Sequence, residues 1–299
     1  MLNTPFRISW FATPPLVRRF IHRFSRPAKS SILIPVTQPE IGIVAVLDIL
    51  GYKALLKNLA LHDAARIISE TLLAVPNEAA EILHKSVRHA PVVALDGIEF
   101  HQLVLSRMHR IVFADTVLLA LPLTPTGDPA FFIWEILPFL AVASLVCRRF
   151  FDKGLPLRGA IALGGFVVDD HCFAGDAILK ALSLGQSLEF AGCALEDETR
   201  RAIVGACDQT HGHKGPGVVS RYRRLLCTAD GPTKSGTERM VLVRWSNPFD
   251  EWEDFPYDSS DVVEKSFTAH GKTLDERSRL KMANTIEILR ASHLVNPLK

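Results

Sequence analysis

The strongest constraint on the fold is a short apolar run that ends in a single carboxylate, Ile43–Asp48. The run is largely β-branched and too short for a typical helix, which predicts a buried strand over 41–48. Gly51 then permits a tight turn into a helix that we expect over 53–58. Because a buried charge is costly unless it is paired or holds a metal, Asp48 requires a partner.

Length and composition describe an ordinary globular chain. The 299 residues suffice for one large domain or two small ones, and a net charge of +2 does not indicate a polyelectrolyte. The five cysteines are scattered and odd in number, without a CxxC pair or a zinc spacing. We therefore expect a reduced, cytoplasmic compartment.

Composition also divides the chain into three segments. Residues 1–39 carry six Lys and Arg residues and no acidic one, with frequent prolines. They predict a loosely docked arm or a basic amphipathic patch over Leu16–Phe24, and we favour the arm. The arm is too short and irregular for a nucleic-acid surface. Residues 40–246 form the main domain, and 247–299 an acidic crossing segment followed by a C-terminal helix.

One apolar run, Ala130–Val146, approaches the length of a membrane span. It falls just short of about 18–20 uninterrupted apolar residues and contains Glu135 and Pro138. We therefore predict a buried helix and no transmembrane span.

A second stretch, Arg110–Leu121, contains two strand-like runs on either side of Asp115. This pattern predicts a hairpin with Asp115 at its tip. If the first strand lies beside the hairpin, Asp48 and Asp115 meet at one edge of the sheet, where two carboxylates share a proton or bind a divalent ion. The alternative is that Asp48 caps the next helix and Asp115 is a turn residue. The pattern alone leaves the two interpretations even.

The remaining elements predict an α+β fold with a mostly antiparallel sheet. Among them we expect a strand within Pro91–Glu99 with a turn at Asp96-Gly97, and a hairpin near the C-terminus. The hairpin strands are predicted over Val218–Thr228 and Met240–Ser246, joined by a polar loop.

Four segments in order resemble the motifs of class III nucleotide cyclases. The first strand and turn resemble the motif with the first metal-binding Asp, and the hairpin resembles the one with the second. The order and spacing of the motifs agree over about 40–246. The sequences Leu-Asp-Ile-Leu-Gly and Leu-Arg-Gly-Ala-Ile are most similar to those of the pyrimidine cyclases of bacterial antiphage Pycsar systems. The segments are Ala45–Lys53, Val112–Thr116, Leu157–Gly164 and Phe173–Ala177.

The resemblance implies a cyclase-like fold with a ferredoxin-like core, mostly antiparallel, flanked by helices and extended by a C-terminal helix. It implies a catalytic domain over 40–246 and a homodimer with active sites at its interface. It further implies conversion of UTP to 3′,5′-cyclic UMP and pyrophosphate, a second messenger read by a separate effector in antiphage defence. CTP is the alternative substrate, and a catalytically silent binding module is the alternative of another class.

The same resemblance assigns roles at the site. Asp48, Asp115 and the carbonyl of Ile49 are expected to hold two divalent ions, Mn²⁺ or Mg²⁺. The backbone amides of the turn into the first helix are expected to bind phosphates. Tyr52 either narrows the pocket for a pyrimidine or packs, and Arg110 faces the base or a phosphate. The expected substrate-binding residues are therefore Leu50, Gly51, Tyr52, Lys53 and Arg110.

The sequence has no clear residue to stabilise the negative charge that develops in the transition state. Purine cyclases place an Asn and an Arg on the helix after Gly175, and this chain does not have that pair. Lys180 is our candidate for the catalytic cation, with a solvated helix lysine as the equal alternative. Arg158 is either a phosphate ligand or a structural ion-pair partner, and we favour the latter.

Overall fold

The computed structural model describes residues 38–88, 95–169, 172–210, 225–246 and 260–294, without the side chains of 84–88, 95–99 and 292–294. They belong to one compact unit that begins at Thr37. The described residues of the C-terminal extension, 260–294, lie in the same unit as the sheet. Residues 1–37 of the predicted basic arm lie outside the described residues.

Eight strands of the described residues form one sheet. Seven follow the order β2-β3-β1-β4-β6-β8-β7, and β5 pairs with β4. The described pairings are antiparallel except for β4 with β6. The bounds are β1 Glu40–Ile49, β2 His109–Phe113, β3 Thr116–Pro122, β4 Leu157–Asp169, β5 Cys172–Gly175, β6 Gly192–Leu195, β7 Leu226–Thr233 and β8 Gly236–Val243.

Helices cover the sheet, and the predicted mostly antiparallel α+β architecture with C-terminal helices is confirmed. The described residues also include a π-helical turn, Ser69–Leu73, and a 3₁₀ turn, Ala269–Gly271. The bounds are α1 Tyr52–Asn58, α2 Leu61–Ile68, α3 Val75–Arg88, α4 Leu95–Arg107, α5 Pro129–Asp152, α6 Asp176–Ser187, α7 Asp197–Thr210, α8 Ser260–Thr268 and α9 Glu276–Leu294.

Strand β1 is buried on both faces, which explains its uninterrupted apolar sequence. Ile43 and Leu47 belong to the main core, which includes α5, while Val44 and Val46 belong to a second cluster with α6. Because side chains alternate along a strand, Asp48 lies on the α6 face. The carboxylate therefore appears where the buried part of that face ends.

Helix α5 is the one described helix that is long and apolar enough to cross a membrane. In its most apolar window, 78% of the residues are buried within the protein. Glu135 inside the helix is fully buried and paired with Arg107. The prediction of a buried core helix is confirmed.

Two local predictions are wrong. Residues 95–99 begin α4 and form neither a strand nor a turn at Asp96-Gly97, because buried residues follow at helical spacing at His101, Val104 and Leu105. The rest of that predicted strand lies outside the described residues.

The second correction concerns the loop of the C-terminal hairpin. The hairpin is present, although residues 218–224 of its first predicted strand lie outside the described residues. A two-residue turn, Lys234-Ser235, joins β7 to β8, so the rest of the predicted polar loop is strand. The first half of β8, Gly236–Arg239, is exposed, and its polar residues therefore gave the sequence the character of a loop.

Candidate active site

The two predicted carboxylate residues meet at one end of the sheet. The Ile49 N–H donates a hydrogen bond of 2.9 Å to the Asp115 carbonyl oxygen. Asp48 lies opposite Thr116 in the register of β1 with β3. The two-residue turn Ala114-Asp115 joins β2 to β3, as the sequence predicted. The adjacent strand ends therefore bring Asp48 and Asp115 together.

The hairpin tip is conformationally unusual. Ala114 has a φ of 53°, in the left-handed region that residues with a Cβ seldom occupy. This conformation costs about 1–2 kcal/mol, so the surrounding structure must impose it. The strained turn places Asp115 directly beside the end of β1.

Asp48 accepts one close hydrogen bond from a residue that the sequence analysis missed. The Thr116 hydroxyl donates to Asp48 Oδ1 at 2.8 Å, and Arg158 Nη2 lies 3.9 Å from Oδ2. The available signal was a hydroxyl directly after the hairpin carboxylate in Ala-Asp-Thr. Gly51 is the N-cap of α1, without a side-chain cap, so Asp48 does not cap that helix.

The turn after β1 leaves only some of the backbone amides that were predicted to bind phosphates available for a ligand. Gly51 has a φ of 80°, as the predicted tight turn requires, and its carbonyl accepts from the N–H groups of Ala54 and Leu55. The Leu50 N–H donates to the Pro156 carbonyl at 2.9 Å and is committed within the fold. The prediction that the Leu50 amide binds a phosphate is therefore wrong.

Tyr52 and Lys53 begin α1 next to this turn. Tyr52 is partly buried against the main core, and Lys53 is exposed. Burial, and then the negative charge of Asp115, raise the pKa of the Tyr52 hydroxyl. Tyr52 therefore packs and also lies within the electrostatic reach of the candidate site.

Arg110 lies on the wrong face of the sheet for the predicted role. It pairs with Leu119, which pairs with Ala45 in the main core. Directly paired residues share a face, so Arg110 points away from the face that carries Asp48. The prediction that Arg110 contacts the base or a phosphate beside Asp48 is therefore wrong.

Lys180, the predicted catalytic cation, forms two ion pairs within the protomer. Its ammonium lies 2.8 Å from both Asp176 and Glu198. These hydrogen bonds, first with Asp176 and then with Glu198, raise the pKa of Lys180. Lys180 therefore joins α6 to the start of α7 and is not a free cation at the carboxylate pair.

Arg158 occupies the place next to Asp48 in the register of β1 with β4. Its Nη1 donates to the Leu188 carbonyl at 3.2 Å. Burial lowers the pKa of the Arg158 guanidinium, while the charges of Asp48 and Glu189 act in the opposite direction. This cation is held near the carboxylate pair without a close ion pair.

The chemistry of this site fits a divalent ion that shares its coordination with a substrate. Asp48 and Asp115 come from adjoining strand ends, and Asp48 keeps acceptor capacity beyond its bond to Thr116. Among the described residues, no group of three or more His, Cys, Asp or Glu residues is placed to hold a metal. Two carboxylates with open positions suit Mg²⁺ or Mn²⁺ bound together with phosphate oxygens.

Comparisons with known proteins give several structural neighbours, two of which are described below. No protein-family model and no curated protein match the chain. It is similar to the adenylyl cyclase CyaB from P. aeruginosa, with 14% identity, a TM-score of 0.35, and coverage of 73% of this chain and 98% of that one. It is also similar to a bacterial light-regulated adenylyl cyclase, with 11% identity, a TM-score of 0.35, and coverage of 80% and 59%. Similarity at this level does not establish a shared activity.

Proposed function

We propose that the protein is a nucleotide cyclase of the class III type. The observation that carries the proposal is the meeting of Asp48 and Asp115 at adjoining strand ends, joined by the Ile49 N–H. The four sequence motifs that resemble this family, in the same order, add to it. The reaction joins the ribose O3′ to the α-phosphorus of a nucleoside triphosphate, and pyrophosphate leaves.

In this proposal Asp48, Asp115 and the Ile49 carbonyl hold two divalent ions, Mn²⁺ or Mg²⁺. When bound, such ions stabilise negative charge on the attacking and leaving oxygens. Thr116 orients the Asp48 carboxylate through its hydrogen bond, and the Gly51 turn brings α1 and Tyr52 beside the site. Lys180 has no part in the chemistry, because two carboxylates already bind its ammonium.

The proposed substrate is UTP, and the product is cyclic UMP; CTP is the alternative substrate. Support comes from the motif sequences that resemble those of pyrimidine cyclases, and from the partly buried Tyr52 near Asp115. The proposal includes a cytoplasmic homodimer that completes each site across its interface. It also includes a second-messenger role in antiphage defence, with a separate effector.

The test is incubation of the purified chain with each of the four nucleoside triphosphates and Mn²⁺, with the products separated by chromatography. We expect a cyclic pyrimidine nucleotide that disappears in Asp115→Ala. Asp230→Ala, which changes an exposed carboxylate in β7, is the matched control and should keep activity. Cyclic AMP as the main product would refute the pyrimidine assignment.

A second candidate is a catalytically silent protein that binds nucleotides or a partner. The observation that favours it is on α6, where Leu179 is 66% exposed and Lys180 is engaged by two carboxylates. No turnover of any nucleoside triphosphate at high protein concentration would select this candidate.

A further inference from the structure

A buried lysine lies against the turn that follows Asp48. Lys272 is 5% exposed, and a Cβ added to Gly51 would lie 3.2 Å from its Cδ, so the lysine stem packs on this turn. The ammonium donates to the Gly154 carbonyl at 2.7 Å and to the Ser266 carbonyl at 3.3 Å. One side chain therefore contacts the turn after β1, the loop between α5 and β4, and helix α8.

Further contacts hold the C-terminal segment on the end of α5. The Ser266 hydroxyl donates to the Phe151 carbonyl at 2.8 Å, and His270 Nε2 lies 2.7 Å from the Lys153 carbonyl oxygen. His270 has a φ of 59°, in the left-handed region that residues with a Cβ seldom occupy, so its surroundings must impose this conformation. The chain that leads into Lys272 is therefore fixed in place before it reaches the Gly51 turn.

The same segment holds the far end of α1. Asn58 Nδ2 donates to the carbonyl of Gly271, the residue before Lys272, at 2.7 Å. Helix α1 has seven residues, of which Leu55 is buried, and it has no side-chain N-cap. Because a helix this short is not stable through its own hydrogen bonds, its position depends on tertiary contacts. Gly271 and Lys272 supply such contacts at its two ends.

The charge of Lys272 is costly where it lies. Burial lowers the pKa of its ammonium to about 8, and no carboxylate among the described residues forms an ion pair with it. An apolar side chain would fill the space without this cost, as Val263 and Phe267 of α8 do in the core. An ammonium, in contrast, has donors that join carbonyls from separate segments. The presence of a lysine is therefore explained by the segments that it joins.

We propose that Lys272 is a positioning residue of the candidate active site. Its stem supports the Gly51 turn, and its ammonium joins the loop before β4 to α8, so that α1 is held at both ends. Because this turn directly follows Asp48 and Ile49, the C-terminal extension determines where α1 and its first amides lie relative to the carboxylate pair. The effect on catalysis rests on the proposed function, whereas the support of the turn does not.

The first measurement is amide hydrogen exchange of the full chain, followed by mass spectrometry. We expect Lys272→Met to speed exchange in the peptide over 50–59 by about fivefold or more, because the segment opens locally once its support is lost. Exchange over 226–243 should not change, whereas a residue that served global stability alone would affect both peptides equally. Lys265→Met, which removes an exposed lysine from α8, is the matched control and should exchange as the unmodified chain does.

The second measurement is steady-state turnover of UTP with Mn²⁺, scaled to the folded fraction of each variant. Lys272→Met should lower kcat by about tenfold or more, because small displacements of positioned groups have large effects on rate. Lys272→Arg, which keeps a cation with several donors, should recover most of the lost turnover. Lys265→Met should keep full turnover.

Asn58→Ala is the second variant, and it decides the proposal if Lys272→Met does not fold. It removes the hydrogen bond to Gly271 at the exposed end of α1. We expect faster exchange over 50–59 and a fall in turnover of about threefold, since only one end of the helix is released. Lys57→Ala, which changes the preceding exposed residue of α1, is its matched control and should behave as the unmodified chain does.

The two measurements separate this proposal from the proposed function. Unchanged exchange over 50–59 in a folded Lys272→Met, or full turnover of UTP in that variant, overturns the positioning role. If exchange rises locally but the unmodified chain cyclises no nucleoside triphosphate, the support of the turn stands and the cyclase proposal fails. If the unmodified chain cyclises UTP while Lys272→Met keeps both its exchange rates and its turnover, the cyclase proposal stands and the positioning role fails.

Discussion

Glu135 and Asp48 are both single carboxylates within apolar runs, yet the fold treats them differently. Glu135 in α5 is fully buried and accepts hydrogen bonds from Arg107 Nη1 at 2.7 Å, the Thr124 N–H at 2.9 Å and the Thr124 hydroxyl at 2.7 Å. Asp48 is 23% exposed, accepts one close bond from Thr116, and lies 3.9 Å from Arg158.

The difference teaches how to separate a structural carboxylate from one available for chemistry. Charge-assisted donors use most of the acceptor capacity of Glu135, so it serves to join α4, α5 and the end of β3. Asp48 retains acceptor positions and lies beside a second acidic residue. We therefore expect substitutions at Glu135 and its partners to lower stability, and substitutions at Asp48 to lower activity.

The largest expected effect is on activity. Asp48→Asn should reduce cyclisation by about a thousandfold or more, since it removes a charged metal ligand, with little loss of stability. The measurement is product formation from UTP with Mn²⁺, together with a urea unfolding curve. Activity close to that of the unmodified chain in a folded Asp48→Asn would contradict the proposed site.

The next effect is on stability. Arg107→Met leaves the buried Glu135 charge without its cation, which should cost about 3 kcal/mol of unfolding free energy. Urea unfolding measures this loss. The control is Arg66→Met, which breaks an exposed pair with Asp63 and should change stability by less than about 1 kcal/mol. Equal losses of unfolding free energy in Arg107→Met and Arg66→Met would contradict the structural role assigned to the buried Glu135.

The buried ammonium of Lys272 predicts a pH dependence of stability. Lys272 is 5% exposed and donates to the carbonyls of Gly154 and Ser266, and burial lowers its pKa from 10.5 to about 8. Between these pKa values the unfolded chain binds more protons than the folded one, so stability rises with pH through this window. The contribution is complete above 10.5 and is lost as the pH falls through 8.

Lys272→Met should remove this rise, which is at most about 3 kcal/mol. Urea unfolding of both proteins from pH 7.5 to 10.5 isolates it, because other titrating groups cancel in the difference. Parallel stability curves for the two proteins across that range would show that the Lys272 ammonium is not destabilised by burial.

The smallest expected effect concerns the catalytic candidate chosen from sequence. Lys180→Met should change turnover by less than about threefold and stability by at most about 1 kcal/mol, because its ion pairs with Asp176 and Glu198 are partly exposed. Steady-state kinetics and urea unfolding check this. A hundredfold fall in turnover with an unchanged KM would return Lys180 to the catalytic role.

Local pattern predicted the parts of the fold that depend on nearby residues. The apolar runs gave β1, the hairpin of β2 and β3, and the buried α5, and Gly51 gave the turn before α1. Pairing of the strands then placed Asp48 beside Asp115, which the sequence could anticipate because each lies at a strand end. Polar exposed strand residues near Gly236 and the short apolar repeat of α4 misled the same reasoning.

By itself, the sequence determined the strand that ends in Asp48, the hairpin that ends in Asp115, and the buried character of α5. Only the tertiary structure decided which charged groups face one another. It placed Arg110 on the opposite face, bound Lys180 to two carboxylates, and brought Lys281 toward Arg158 from more than a hundred residues away. The reason is physical: backbone pattern depends on neighbours in sequence, whereas charge pairing depends on strand register and helix docking across the whole domain.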